Sequence, residues 1–235
     1  MHAKVREKQR IARGTLLVTF DLLGAEVSFR PGQYFFVTLP DLGYRDDKGL
    51  RRHLSVVTSP NERGVLGLAT RLRDSAFKQT LLEIPIGSEV EVETPKGDFI
   101  LPDDTSRPLV FVAGGIGITV FRSMLLYIQE ESLPYRATLI YSNRSQAEAA
   151  FLDELRFLEK QNPNFRLILT MTQDPDWPGE KRRIDARFFQ EYLADLNSYT
   201  FMIAGPPGMV EAMESSLRKA GVRAENVIPE GYTGY

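Results

Sequence analysis

Cysteine is absent from the 235-residue chain. That excludes disulfides, a thiol nucleophile, a cysteine-ligated zinc site and an iron–sulfur cluster carried by this sequence. Histidine is nearly absent too. Only His2 and His53 occur, so a histidine metal site or a Ser-His-Asp triad would have to use one of them, and neither is expected. Long apolar runs are missing: none approaches the roughly 18 residues of a membrane span. The opening stretch MHAKVREKQRIARG lacks the apolar core of a secretory signal, so a cytoplasmic protein with no membrane span is expected. Excess charge of one sign is also lacking. There are 29 Lys and Arg against 31 Asp and Glu, a formal net charge of -2, which gives no electrostatic case for nucleic acid. Chemistry in such a chain needs an imported cofactor.

What is present divides into two halves with different periods. Up to about residue 101 the pattern is of strands: Thr15–Asp21, Gln33–Leu39 after the Pro31-Gly32 turn, His53–Thr58, Val65–Leu72 and Glu89–Glu93, with Gly, Pro, Asn and Asp between them. This spacing predicts an antiparallel β-barrel or sandwich, interrupted by one short helix from Ser75 to Glu83. The second half alternates. Strands at Leu109–Ala113, Ala137–Tyr141, Phe165–Met171 and Thr200–Ala204 are each followed by an amphipathic segment, one of them carrying Phe151, Leu155 and Leu158 and the last stopping at Gly221. Strand–helix alternation predicts a Rossmann-like α/β domain with a parallel sheet. The polar, proline-bearing stretch Pro102–Pro108 is the natural boundary, giving domains at 1–102 and 108–235.

Two glycine-rich turns stand out in the second half. Gly114-Gly115-Ile116-Gly117 lies between a strand and a helix start, where bare backbone and free N–H groups suit a phosphate. Ala204-Gly205-Pro206-Pro207-Gly208-Met209 repeats the arrangement after a later strand. Either could be a plain tight turn, and Pro207 a helix start. The two together point to a dinucleotide site. After the second strand come Ser142-Asn143-Arg144-Ser145. An NAD-selective site often has an acid here for the ribose hydroxyls, whereas an arginine with hydroxyls and an amide suits a 2′-phosphate. Solvated loop residues remain the alternative.

In the first half, Arg52-His53-Leu54-Ser55 precedes a Ser59-Pro60 step. With the glycine turns and the domain order, it resembles the ferredoxin–NADP reductase-like superfamily, whose barrel carries R-x-[YF]-[ST] and whose nucleotide domain carries G-G-x-G-x-T and a late C-G-P-x-x-M. The resemblance covers essentially the whole chain. It implies an N-terminal antiparallel Greek-key β-barrel for flavin and a C-terminal domain for NAD(P). It implies a flavin-dependent NAD(P)H oxidoreductase, with hydride passing between nicotinamide and flavin and electrons going to a separate acceptor such as ferredoxin, flavodoxin or a small molecule. By position, Arg52 would pair with a flavin phosphate, His53 and Leu54 would lie in the same segment, and Ser55 would hydrogen-bond near the flavin N5. Thr70 would meet the ribityl chain, and Asp74, Ser75, Ala76 and Phe77 would wrap the flavin tail. Gly114, Gly115, Gly117, Thr119, Gly205, Pro206 and Met209 would hold the nucleotide, with Ser142, Asn143 and Arg144 favouring NADP(H) over NAD(H). FAD is the expected flavin, with FMN as the alternative. A C-terminal aromatic, Tyr235, would shield the flavin ring until nicotinamide displaces it. Some 14 residues after Gly221 are available as a tail to bring it there. No metal is implied.

Three positions depart from the family pattern: Leu54 replaces an aromatic that packs on the flavin, Ala204 replaces a cysteine near the nicotinamide, and Val120 replaces a proline. The first keeps open a reductase that uses free flavin as its substrate. The second keeps open a non-catalytic electron-transfer or regulatory subunit.

Overall fold

The computed structural model describes residues 1–232. The chain falls into two compact units: Met1–Leu101 with Arg122–Glu130, and Pro102–Phe121 with Glu131–Tyr235.

The first unit contains β1 (His2–Ala12), β2 (Thr15–Asp21), β3 (Tyr34–Thr38), β4 (Arg51–Ser55), β5 (Val65–Arg71), α1 (Ala76–Glu83) and β6 (Glu89–Val92). They form one six-stranded antiparallel sheet in the order β4-β3-β6-β1-β2-β5. The two ends of that order meet. Just beyond β4, the Val57 N–H donates to Gly67 O of β5 at 2.9 Å, and the Gly67 N–H donates to Thr58 Oγ1 at 3.2 Å. A Cβ at Gly67 would lie 2.8 Å from Thr58 Cγ2, so a larger residue here would force Thr58 to shift. The sheet is the expected barrel, filled by alternate residues such as Val18, Phe20, Phe35, Val37, Leu66 and Leu68. β1 is one strand that the sequence pattern does not single out. Its run Lys4–Arg10 is mostly charged, and only Ala3 and Val5 of the strand are buried.

The second unit holds β7 (Leu109–Gly114), β8 (Ala137–Asn143), β9 (Phe165–Met171), β10 (Thr200–Gly205) and β11 (Val227–Gly231). All pair in parallel, in the order β11-β10-β7-β8-β9. The helices are α2 (Ile118–Glu130), which the division between the units crosses, α3 (Leu152–Gln161), α4 (Ala186–Tyr192) and α5 (Pro207–Lys219). One sheet face packs Val110, Val112, Ile140, Phe201 and Ile203 against α4 and α5 through Phe188, Phe189, Val210, Met213 and Leu217. On the other face Phe111 stacks on Phe121 at 4.7 Å.

Two expectations are corrected. Phe151 does not lie on the helix face with Leu155 and Leu158: it precedes α3 with φ 60°, a left-handed N-cap. The residues after Gly221 are not a free tail. Residues 224–226 form a short helical turn, and Val227–Gly231 pairs with β10 as an edge strand. Pro229 is tolerated there because an edge strand leaves N–H groups unpaired.

Candidate cofactor sites

In the first unit, β4 alternates. Arg52 and Leu54 are half-buried, while Arg51 and His53 face outward. The structure therefore separates His53 from Arg52. The imidazole lies between Tyr34 and Phe36, 5.3 Å from each ring. Leu54 packs against the barrel core. Ser55 is 8% exposed and sits opposite Tyr34 in the β3–β4 register. Thr70 is fully buried in β5.

Arg52 converges with the start of α1. Ser75 caps that helix, its Oγ accepting the Lys78 N–H at 3.3 Å. The guanidinium of Arg52 lies 5.7 Å from the Phe77 ring centroid. Its Nη1 donates to the carbonyls of Lys48 at 2.5 Å and Arg51 at 2.8 Å. Its Nη2 is buried and, among the described residues, makes no hydrogen bond and a long ion pair to Asp46 Oδ1 at 3.6 Å. A guanidinium nitrogen held in place without a hydrogen-bond acceptor beside a helix N-terminus fits a flavin phosphate. Asp74 is turned to the helix itself, accepting from Gln79 Nε2 at 2.7 Å.

Sequence reasoning missed Lys78 and Asp46. Lys78 is 9% exposed, and its ammonium is pushed down to about 8 by burial and by the positive charges of Arg73, Arg52 and Lys48. A sign of it was present in the sequence. A lysine in the first turn of a helix opposes the macrodipole, which makes sense beside a bound anion. Asp46 gave no such sign, because it lies 30 residues before the helix that it touches.

In the second unit, β7 and β10 are neighbours from which the strand order runs in opposite directions, the switch point at which open parallel sheets bind ligands. Both glycine turns lie at the carboxyl ends of these two strands. A Cβ on Gly117 would come within 2.2 Å of Ala204 O, one on Gly114 within 2.5 Å of Met209 Sδ, and one on Gly205 within 2.7 Å of the same sulfur. The glycines therefore let the two turns pack against each other and leave their backbone bare at the helix starts. Thr119 is 4% exposed, and its hydroxyl donates to Ile116 O at 3.0 Å, which ties down the first turn. Pro206 precedes α5 and is exposed.

Ser142 pairs in register with Gly114, which sets the end of β8 beside the first turn. Arg144 is exposed. Asn143 is 5% exposed, and neither its Nδ2 nor its Oδ1 has a hydrogen-bond partner among the described residues. Leaving both ends of a buried amide unmet costs about 1–3 kcal/mol. An orphan amide at the carboxyl edge of the sheet thus fits a ligand that brings hydroxyls or phosphate oxygens. Glu230, also missed, lies opposite Ala204 in the β10–β11 register, and burial pushes its carboxyl up. The Tyr232 N–H donates to Gly205 O at 3.1 Å, which keeps the end of the described chain at the second turn. Tyr235 lies outside the described residues.

Among the described residues no helix is long and apolar enough to cross a membrane. No group of three His, Cys, Asp or Glu side chains that could hold a metal is present among them.

Comparison with known proteins assigns the same two halves. The family model for an oxidoreductase FAD-binding domain matches residues 2–100, and that for an oxidoreductase NAD-binding domain matches residues 111–215. The chain is 27% identical over 209 residues to the sulfhydrogenase 1 subunit gamma of Pyrococcus furiosus, covering 87% of this chain and 68% of that protein. It is 25% identical over 215 residues to the reductase component DmpP of phenol 2-monooxygenase from a Pseudomonas species, covering 89% of this chain and 59% of that one. Its fold superposes with a TM-score of 0.80 on a ferredoxin NADP+ reductase from Neisseria gonorrhoeae solved with bound FAD and NADP, at 21% identity over 98% of both chains.

Proposed function

This chain belongs to the ferredoxin–NADP reductase-like superfamily of FAD-dependent NAD(P)H oxidoreductases, and we propose that it takes hydride from NADPH and delivers electrons singly to a separate acceptor. When bound, the flavin supplies the chemistry, taking two electrons as hydride and releasing them one at a time. The chain's own residues bind and orient. Arg52 and the first turn of α1 receive the flavin phosphate, and Ser55 supplies a hydroxyl for the ring. The paired turns at Gly114–Gly117 and Gly205–Met209 receive the pyrophosphate of the nucleotide. The Asn143 amide and Arg144 meet its ribose and 2′-phosphate.

One observation supports this reading: a buried guanidinium nitrogen unmet among the described residues lies in the unit matched by the FAD-binding model, and two closely packed glycine turns lie in the unit matched by the NAD-binding model. The acceptor is a partner outside this sequence, which has no cysteine for a cluster of its own. The names of the relatives support a protein partner, since one is a hydrogenase subunit and another an oxygenase component. Stopped-flow mixing of the flavin-loaded protein with NADPH and with NADH tests the reading. Rapid flavin reduction, faster at limiting NADPH, is expected. Flavin bound but reduced by neither nucleotide would contradict it.

A second reading, a reductase for which flavin is a diffusing substrate, is favoured by Leu54. Its side chain packs into the barrel core and cannot offer the π-face of an aromatic. Protein that purifies yellow argues for bound cofactor, and colourless protein that turns over added FMN argues for the substrate role.

A further inference from the structure

The segment between β3 and β4 brings a carboxylate to the place where a flavin phosphate is expected. Asp46 Oδ2 accepts the backbone N–H of Ala76, the first residue of α1, at 2.8 Å. Its Oδ1 accepts the Lys48 N–H at 2.9 Å and lies 3.6 Å from Arg52 Nη2. A helix-terminal N–H, a loop N–H and a guanidinium form the donor set that a phosphate oxygen takes. Asp46 and Ala76 are far apart in sequence, so no local turn requires this contact.

We propose that Asp46 is an internal stand-in for the flavin phosphate, and that the loop carrying it must withdraw from the start of α1 before a phosphorylated flavin can bind tightly. The proposal rests on the flavin reading of the first unit. Three further observations support it. First, the charge is mismatched. Lys48, Arg52 and Arg73 surround Lys78 with like charge, and with Asp46 in place burial first and these charges second still hold the Lys78 ammonium down. A phosphate, with more charge and more acceptor oxygens than one carboxylate, neutralises such a cluster better. Second, the bond from the carboxylate to Arg52 is incomplete. At 3.6 Å it is an ion pair without a hydrogen bond, and Nη2 has no hydrogen-bond partner among the described residues. Third, the loop comes near the far end of the helix as well: the carboxylate of Glu83, the last residue of α1, pushes the Tyr44 hydroxyl up. The loop therefore lies along the helix, with Asp46 at its start and Tyr44 at its end. Arg52 Nη1 also ties the loop through the Lys48 carbonyl, but it is Asp46 that competes for the anion position.

The test uses binding rather than turnover. Apoprotein and its Asp46→Asn variant are titrated with riboflavin, FMN and FAD, following quenching of flavin fluorescence. Asparagine keeps an acceptor for the Ala76 N–H but removes the charge, and circular dichroism melts check that the variant folds. Affinity for FMN and FAD is expected to rise on the order of tenfold, with riboflavin, which has no phosphate, unchanged. Weaker or unchanged FMN and FAD binding in Asp46→Asn, with riboflavin binding retained, would show that Asp46 is a permanent cap of α1, overturning this inference alone. An equal gain for riboflavin would overturn it as well. No binding of any flavin by either protein would remove the flavin reading and this inference together.

Discussion

The two candidate cofactor sites suit the same group, a phosphate, by different physical means. In the first unit the site is made of side chains: Arg52, Lys78 and their neighbours supply positive charge, and Asp46 already sits among them. In the second unit it is made of backbone. Glycines pack two turns so closely that a methyl group at Gly117 would overlap Ala204 O, and one buried amide is left unmet. A site of side chains is tunable by charge and open to internal competition. A site of backbone is governed by shape and tolerates almost no added volume. The two should therefore respond to different perturbations.

The largest expected effect is steric and confined to the second unit. Gly117→Ala should cost about 1–3 kcal/mol of stability by overpacking and abolish measurable NADP+ binding, because its Cβ would stand 2.2 Å from Ala204 O. Gly208→Ala is the contrast. It lies in α5 with nothing within 4 Å of an added Cβ, and should stabilise the helix by up to about 1 kcal/mol. Thermal melts and NADP+ titration check both.

Removing charge from the first unit comes next. Arg52→Ala deletes a charge-assisted contact worth about 1.5–3 kcal/mol. It should weaken FMN and FAD binding tenfold to a hundredfold while leaving NADP+ affinity alone. An unchanged flavin affinity would remove Arg52 from the site.

A smaller effect separates the sites by pH. The Lys78 ammonium titrates at about 8, so it is charged below that pH and neutral above it. Phosphate binding prefers the cation, so FMN affinity should fall severalfold between pH 7 and pH 9, values chosen about one unit on either side of that midpoint. Riboflavin affinity should not follow, and Lys78→Gln should flatten the profile for FMN. The backbone-built nucleotide site has no lysine of this kind, and NADP+ binding should show no midpoint near 8. The smallest effect is expected at exposed Arg144. Arg144→Ala should raise KM for NADPH a few-fold and leave KM for NADH unchanged. Equal effects on both nucleotides would make it a general phosphate contact.

How much of this was legible in the sequence follows from the range of the interactions involved. Periodicity exposed both sheets, because burial on one or both faces dictates residue type along the strand. It missed β1, whose charged run hides two buried residues, and β11, a short edge strand containing Pro229 that exists only through pairing with β10. Turn chemistry made the two glycine turns legible because its cause is local. The sequence could not show why Gly117 is obligatory, since the obstructing atom belongs to Ala204 on another strand. Asp46 was silent for the same reason: its partners, Ala76 and Arg52, come from different elements, and only the fold makes them neighbours.

A chain that holds both a flavin and a nicotinamide nucleotide in working order must pass electrons between them without a helper. An anaerobic titration of the flavin-loaded protein with NADPH, followed by the flavin's visible absorbance, tests it most directly. Bleaching complete at one NADPH per bound flavin is expected, diminished in Arg52→Ala, which binds flavin more weakly, and prevented in Gly117→Ala by loss of the nucleotide. A full complement of bound flavin whose absorbance does not change with excess NADPH or NADH would contradict it.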